Sequence, residues 1–243
     1  MQISRRSLIQ GSALLAGSSL VPLPAWAQDK CPIRPVYTPA SALAKLREGN
    51  GNFDGGKLVP YPIDKRTLRC QADNKQTPFA TIVSCSDSRA GPEQIFQVGI
   101  GELFVVRNAG TTVANPQALG SIEYSVAELH VPLIVVLGHT HCGAVKEATN
   151  IVRDNKHFPP TLEAMLLPIV PSALAVRGQP GDPVENAIHE NVRRVAAGLR
   201  SPDQPILFPP QRTGELKVVG AVYDLASGTV DWFDMPAMTK PAH

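Results

Sequence analysis

Net charge is scarce in this chain: 23 Lys and Arg stand against 21 Asp and Glu, a formal +2. With charges of both signs scattered along the sequence, there is no basic stripe to track a phosphate backbone or grip an anionic bilayer. This excludes nucleic acid and a charged membrane surface as partners and leaves a small molecule. Long apolar runs are missing too. The one candidate, Leu14 to Leu23, is short and interrupted by Gly17 and Pro22, which excludes a spanning helix. Internal repeats and low-complexity tracts are absent. Cysteine is limited to Cys31, Cys70, Cys85 and Cys142, with no Cys-x-x-Cys pair to serve as a redox dithiol or to close a structural zinc site of four ligands.

What the N-terminus does have is an export address. Ser4-Arg-Arg-Ser-Leu-Ile9 is a twin-arginine start, the short apolar stretch follows, and Ala25-Trp26-Ala27 has the small-x-small form of a cleavage site. Residues 1–27 therefore read as a signal peptide that is removed, which puts the mature protein in the periplasm without a stable membrane anchor. Removing 27 residues from 243 leaves 216, enough for one α/β domain, and losing Arg5 and Arg6 brings the formal charge to about zero. That domain, residues 28–243, begins with a polar arm, Gln28 to Val36. In an oxidising compartment Cys31 and Cys70 either join in a disulfide or stay as two unpaired thiols, and the sequence does not choose between them.

Thr38-Pro39 supplies an N-cap and a proline at the first helical position, and Ala42, Leu43 and Leu46 form an apolar stripe, so a helix is expected from Pro39 to Glu48, stopped by Gly49-Asn-Gly51. Asn52 to Lys75 lacks periodicity and reads as a loop with one short helix at most. From Phe79 the pattern becomes strand, connection, strand. Phe79 to Cys85, Glu102 to Arg107 and Leu133 to Gly138 are apolar, β-branched runs, separated by a helix from Asn115 to His130 and followed by one over Ala144 to Val152. His157 to Asp182 is rich in proline, with an apolar turn or two around Leu162 to Ala175. Asp182-Pro183 opens a helix to Arg200, a proline-rich loop spans Ser201 to Pro210, and Lys217 to Asp224 with Thr229 to Asp234 reads as a hairpin. Strands apolar throughout and separated by helices predict an α/β fold with a mainly parallel central sheet flanked by helices, its functional groups at the carboxyl ends of the strands.

Two such strand ends carry chemistry. The first delivers Cys85, Asp87 and Arg89; the second delivers His139 and Cys142. Two thiolates and one imidazole are ligands that zinc prefers, and three protein ligands are what a catalytic zinc keeps when its fourth position is open. His139-x-x-Cys142 is by itself a weak signature, and Cys85, 54 residues before His139, has no zinc-finger spacing. The alternative is two small buried hydrophobes beside a hydrogen-bonded histidine. Location at two buried strand ends, with Asp87 and Arg89 next to the thiol, favours the metal. Two thiolates and a neutral imidazole cancel the charge of Zn²⁺, so water on it needs help from a neighbour such as Asp87 to ionise near neutral pH.

Cys85-Ser-Asp-Ser-Arg89 together with Gly138-His-Thr-His-Cys-Gly143 resembles the signature pair of the β-class carbonic anhydrases. The likeness continues through Leu103-Phe-Val-Val-Arg-Asn-Ala-Gly110 and Ser121-Ile-Glu-Tyr124, and covers Gln76 to Val145 closely. It implies one Zn²⁺ per chain on Cys85, His139 and Cys142, and reversible hydration of CO2 to bicarbonate and a proton by zinc-bound hydroxide. It assigns Asp87 and Arg89 as the dyad that orients this hydroxide, and Gln76, Phe104, Tyr124 and Gly143 to the substrate pocket. It also implies a closed state with Asp87 as fourth zinc ligand, and a homodimer or homotetramer whose N-terminal helix embraces the neighbour and whose pocket residues cross the interface. Some relatives carry a regulatory bicarbonate site built on an arginine, matched by Arg107, and a tryptophan, where this chain has Ile82. Ala109 departs from an aliphatic pocket position, and His141 precedes Cys142 where small residues are usual.

Other readings use the same residues. The centre could hydrolyse COS or CS2, which only assay separates from CO2. A non-catalytic periplasmic zinc-binding protein would leave Asp87, Arg89 and Gln76 without a purpose.

Overall fold

The computed structural model describes residues 31, 35–59 and 63–236. The signal-peptide reading of residues 1–27 lies outside them. The chain divides into Met1–Pro32 and Ile33–His243, and everything below concerns the second unit unless stated. Of the cysteines, Cys85 and Cys142 are free thiols, while Cys31 and Cys70 are disulfide-bonded. Among the described residues no helix is long and apolar enough to cross a membrane.

The elements in chain order are α1 (Pro39–Asp54), α2 (Lys65–Asp73), β1 (Ala80–Ser84), α3 (Pro92–Ile95), β2 (Leu103–Arg107), α4 (Pro116–Ala127), β3 (Leu133–His139) and α5 (Gly143–Asp154). Then come α6 (Pro160–Leu166), a 3₁₀ turn (Leu167–Ile169), α7 (Val170–Ala175), α8 (Pro183–Leu199), α9 (Phe208–Thr213), β4 (Lys217–Tyr223) and β5 (Val230–Asp234). Three helices start as their sequences dictate. Thr38, Asn115 and Asp182 each accept hydrogen bonds from first-turn N–H groups, and each is followed by proline.

The strands form one sheet in the order β2-β1-β3-β4-β5, parallel except for the β4–β5 hairpin. Alternate residues of β1, β3 and β4 enter two separate cores. Val83, Ile134, Val136 and Val222 face α4, α5 and α8; Ile82, Val135, Leu137 and Val219 face α1 and the Ile95–Phe96 turn. Burial on both faces is why these strands read as continuous apolar runs. The chain leaves β1 toward β2 on one side and leaves β3 toward β4 on the other, so the carboxyl ends of β1 and β3 flank the switch point where open α/β sheets form a crevice.

Helix α1 differs from expectation in two ways. It runs through Gly49-Asn-Gly51 to Asp54, because those residues pack rather than stop the helix. A Cβ on Gly49 would lie 1.8 Å from the carbonyl oxygen of Phe96. The buried Asn50 amide donates to Gly228 O and accepts from Val230 N. The stripe Ala42, Leu43 and Leu46 is buried in this chain's own second core, so it is not an unpartnered face waiting for a neighbour. The one short helix expected between Asn52 and Lys75 is α2, Lys65–Asp73, while the proline-rich middle holds more helix than the turn or two that its periodicity suggested.

Candidate metal centre

Sheet and helix geometry bring the two motifs together. Cys85 follows the last residue of β1, His139 is the last residue of β3, and Cys142 caps α5. Cys85 Sγ and Cys142 Sγ are 3.9 Å apart, and the three ligand atoms lie within 4.8 Å of one another, all buried. Two sulfurs at 2.3 Å from a tetrahedral zinc would be about 3.8 Å apart. His139 Nδ1 lies 2.9 Å from the Thr140 carbonyl, which fixes it as the donor and leaves Nε2 with its lone pair facing the thiols. That Nε2 is buried with no hydrogen-bond partner; Ser84 Oγ is the other buried side-chain atom so placed among the described residues. An orphaned imidazole nitrogen beside two sulfurs fits a thiophilic divalent ion, zinc first.

The thiols are unequal. Cys85 is the one that ionises readily: hydrogen bonding from Cys142 outweighs burial, and the Gly110 N–H, 3.3 Å from the sulfur, adds to it. Cys142 is pushed well above the ordinary thiol range because it is the donor to Cys85 and is itself buried, although the first-turn N–H groups of Val145 and Ala144 lean toward its thiolate.

Asp87 sits beside this group. Its Oδ1 accepts from Arg89 N (3.0 Å) and Nε (2.9 Å), its Oδ2 accepts from Arg89 Nη2 (2.7 Å), and Oδ2 is 3.8 Å from His139 Nε2. The Arg89 hydrogen bonds hold its carboxyl far below the usual carboxylate range, against the effect of burial. Arg107, the last residue of β2, donates from Nε to Cys85 O (2.8 Å) and from Nη2 to Asp87 O (2.5 Å). Its guanidinium is spent on the turn that carries ligand and carboxylate.

The pocket residues are distributed differently. Gly143 opens α5 directly after Cys142, and no atom lies within 4 Å of where its Cβ would be. Phe104 is paired with Thr81 in the sheet register and stacks near the half-exposed Tyr124 at 6.3 Å. Gln76 is exposed ahead of β1. Phe104 and Gln76 thus belong toward the amino-terminal end of the strands, about 13 Å or more along β1 from Cys85.

Sequence reasoning missed two contributors. Gly110 was visible only as part of a motif, since a backbone N–H has no residue type to betray it. Asn191 interrupts the apolar stripe of α8, three residues after Ile188, and is buried; a polar residue on a buried face was the available signal. His141 is exposed in a left-handed conformation, and its N–H donates to Glu185 Oε1 at 2.9 Å.

Comparison with known proteins places this geometry. A family model described as carbonic anhydrase matches residues 80–230. The carbonic anhydrase of Mycolicibacterium smegmatis is 34% identical over 197 residues, which cover 81% of this chain and 94% of that one. Carbonic anhydrase 2 of Mycobacterium tuberculosis is 36% identical over 196 residues, 80% of this chain and 92% of that one. Among solved structures, the β-carbonic anhydrase CcaA superimposes with a TM-score of 0.62 at 28% identity, covering 80% of this chain and 96% of that one. The Coccomyxa β-carbonic anhydrase in complex with acetazolamide gives 0.61 at 26%, covering 72% and 80%.

Proposed function

Since this chain belongs to the β-class carbonic anhydrase family, we propose that it catalyses the reversible hydration of CO2 to bicarbonate and a proton at a zinc ion held by Cys85, His139 and Cys142, with Asp87 and Arg89 orienting the nucleophile. The observation that carries this reading is the unpartnered Nε2 of His139, buried beside two thiols and 3.8 Å from a carboxylate. Zinc, when bound, supplies hydroxide near neutral pH by lowering the pKa of a water molecule from about 15.7 to about 7.

The chain's own residues supply the aim. Asp87 stays ionised because Arg89 donates to it three times, so the carboxylate would accept a hydrogen bond from the nucleophile and orient it toward CO2. With its oxygens committed to Arg89, Asp87 would act on the nucleophile rather than serve as a ligand itself; the closed alternative would require those contacts to break. Arg107 fixes the spacing of Cys85 and Asp87 through their carbonyls. His139 is held by Thr140 in the tautomer that leaves Nε2 free to ligate.

Two substitutions separate holding the metal from using it. Cys85→Ser should lose both zinc and turnover. Asp87→Asn should keep about one zinc per chain while kcat falls by about 10²-fold or more. An Asp87→Asn enzyme with unchanged kcat would remove the dyad from the mechanism.

A further inference from the structure

Outside both motifs, a buried amide reaches toward the metal centre from the far side of the first core. Asn191 of α8 is 3% exposed. Its Nδ2 donates to Gly110 O at 2.9 Å, and its Oδ1 accepts from Ser172 Oγ of α7 at 3.4 Å. Gly110 in turn donates its own N–H to Cys85 Sγ at 3.3 Å. The carbonyl and the N–H belong to neighbouring peptide units joined at the Gly110 Cα, so pinning the carbonyl restricts ψ of Gly110 and narrows, through the glycine's own torsions, the directions open to its N–H.

The turn between β2 and α4 is held at Gly110 from two sides, by Thr111 and by Asn191. Gly110 is left-handed at φ +75°, a conformation that glycine also leaves easily. The Thr111 N–H, in the same peptide unit as the Gly110 carbonyl, donates to Asn108 O at 3.0 Å, and Thr111 Oγ1 donates to Leu137 O; Asn191 adds the restraint that reaches the Gly110 carbonyl itself. Without Asn191 the buried Gly110 carbonyl loses its side-chain partner, and relief of that cost through the glycine's torsions would shift the N–H on the sulfur.

We propose that Asn191 is a positioning residue for the metal centre, acting through Gly110 to keep an N–H on the Cys85 sulfur and so to preorganise that ligand. The inference rests on the metal-centre reading above. Groups that hold a metal's ligands from behind affect affinity by about 10- to 100-fold, whereas a buried amide that only satisfies a carbonyl affects fold stability alone.

The test compares zinc affinity, by competition with a chromophoric chelator, with thermal stability for the full chain and for Asn191→Ala. Asn50→Ala is the matched control, because Asn50 is also a buried amide bridging backbone groups but lies in the second core. The expected result is a loss of zinc affinity of about 10- to 100-fold in Asn191→Ala and none in Asn50→Ala, with both melting lower. The cobalt-loaded Asn191→Ala protein should also show altered thiolate-to-metal absorption. If Asn191→Ala does not fold, Asn191→Leu keeps the packing volume of α8 and is read the same way. Zinc affinity within twofold of the unsubstituted chain in a folded Asn191 variant would overturn the proposal. Failure of the unsubstituted chain to bind zinc would overturn the metal centre itself, and the proposal with it.

Discussion

Gly110 is where the ligand turn tolerates nothing extra. A Cβ there would sit 2.3 Å from Ile169 Cδ1, and the left-handed backbone at φ +75° adds strain for any other residue. Gly110→Ala should therefore lower stability by about 2–4 kcal/mol and release zinc at a lower chelator concentration, as read by urea unfolding and chelator titration. Unchanged stability would mean that Ile169 yields easily and that the turn is looser than drawn. The contrast with Cys85, His139, Cys142, Asp87 and Arg89 explains what could be read in advance. Their chemistry demands particular residue types, so type and strand-end position sufficed to bring them together. The N–H of Gly110 and the reach of Asn191 depend on which helix covers which face, which no local pattern encodes.

Helix α1 teaches the same lesson about elements. Its start followed from Thr38-Pro39, whereas its continuation past Gly49 depends on the Phe96 carbonyl and on the Asn50 bonds, both contributed by distant chain. The helix is pinned to the sheet by Lys45, whose Nζ donates to Glu102 Oε1 at 2.6 Å and to Tyr37 Oη at 3.2 Å and lies 4.6 Å from the centre of the Phe79 ring. Burial would lower the Lys45 pKa, but the hydrogen bonds to Glu102 and Tyr37 outweigh it, and the folded value is raised above the ordinary 10.5. A raised folded pKa means that the contribution is fully present below 10.5 and is lost as pH rises through the folded value. Lys45→Met keeps the stem over Phe79 and removes the charge. It should cost about 1 kcal/mol in urea unfolding at pH 8, and the gap to the unsubstituted chain should close above the ordinary lysine value. A gap of equal size at both pH values would show that the loss is one of packing.

For the molecule as a whole, the sheet order puts Cys85 and His139 at one end of the strands and Phe104 and Gln76 toward the other. One chain sets Gly143 beside Cys142 but leaves Phe104 and Gln76 away from its own Cys85, and β2, which carries Phe104, is an edge strand whose residues are mostly half-buried. A second copy across that edge would reconcile them. If so, coexpressed Gln76→Ala and Asp87→Asn chains should regain activity that neither has alone, because one site of each mixed pair is built wholly from unsubstituted residues. Activity no greater than the mean of the two parents would place Gln76 outside the shared pocket. The central claim is the hydration of CO2 at the Cys85, His139 and Cys142 centre, and stopped-flow CO2 hydration by the purified chain, with zinc determined on the same sample, tests it most directly. About one zinc per chain and hydration well above the buffer rate, inhibited by removing the metal and restored by returning it, is the predicted result. Zinc at full occupancy with no hydration between pH 6.5 and 9, a window set around a metal-activated water near pH 7, would contradict it.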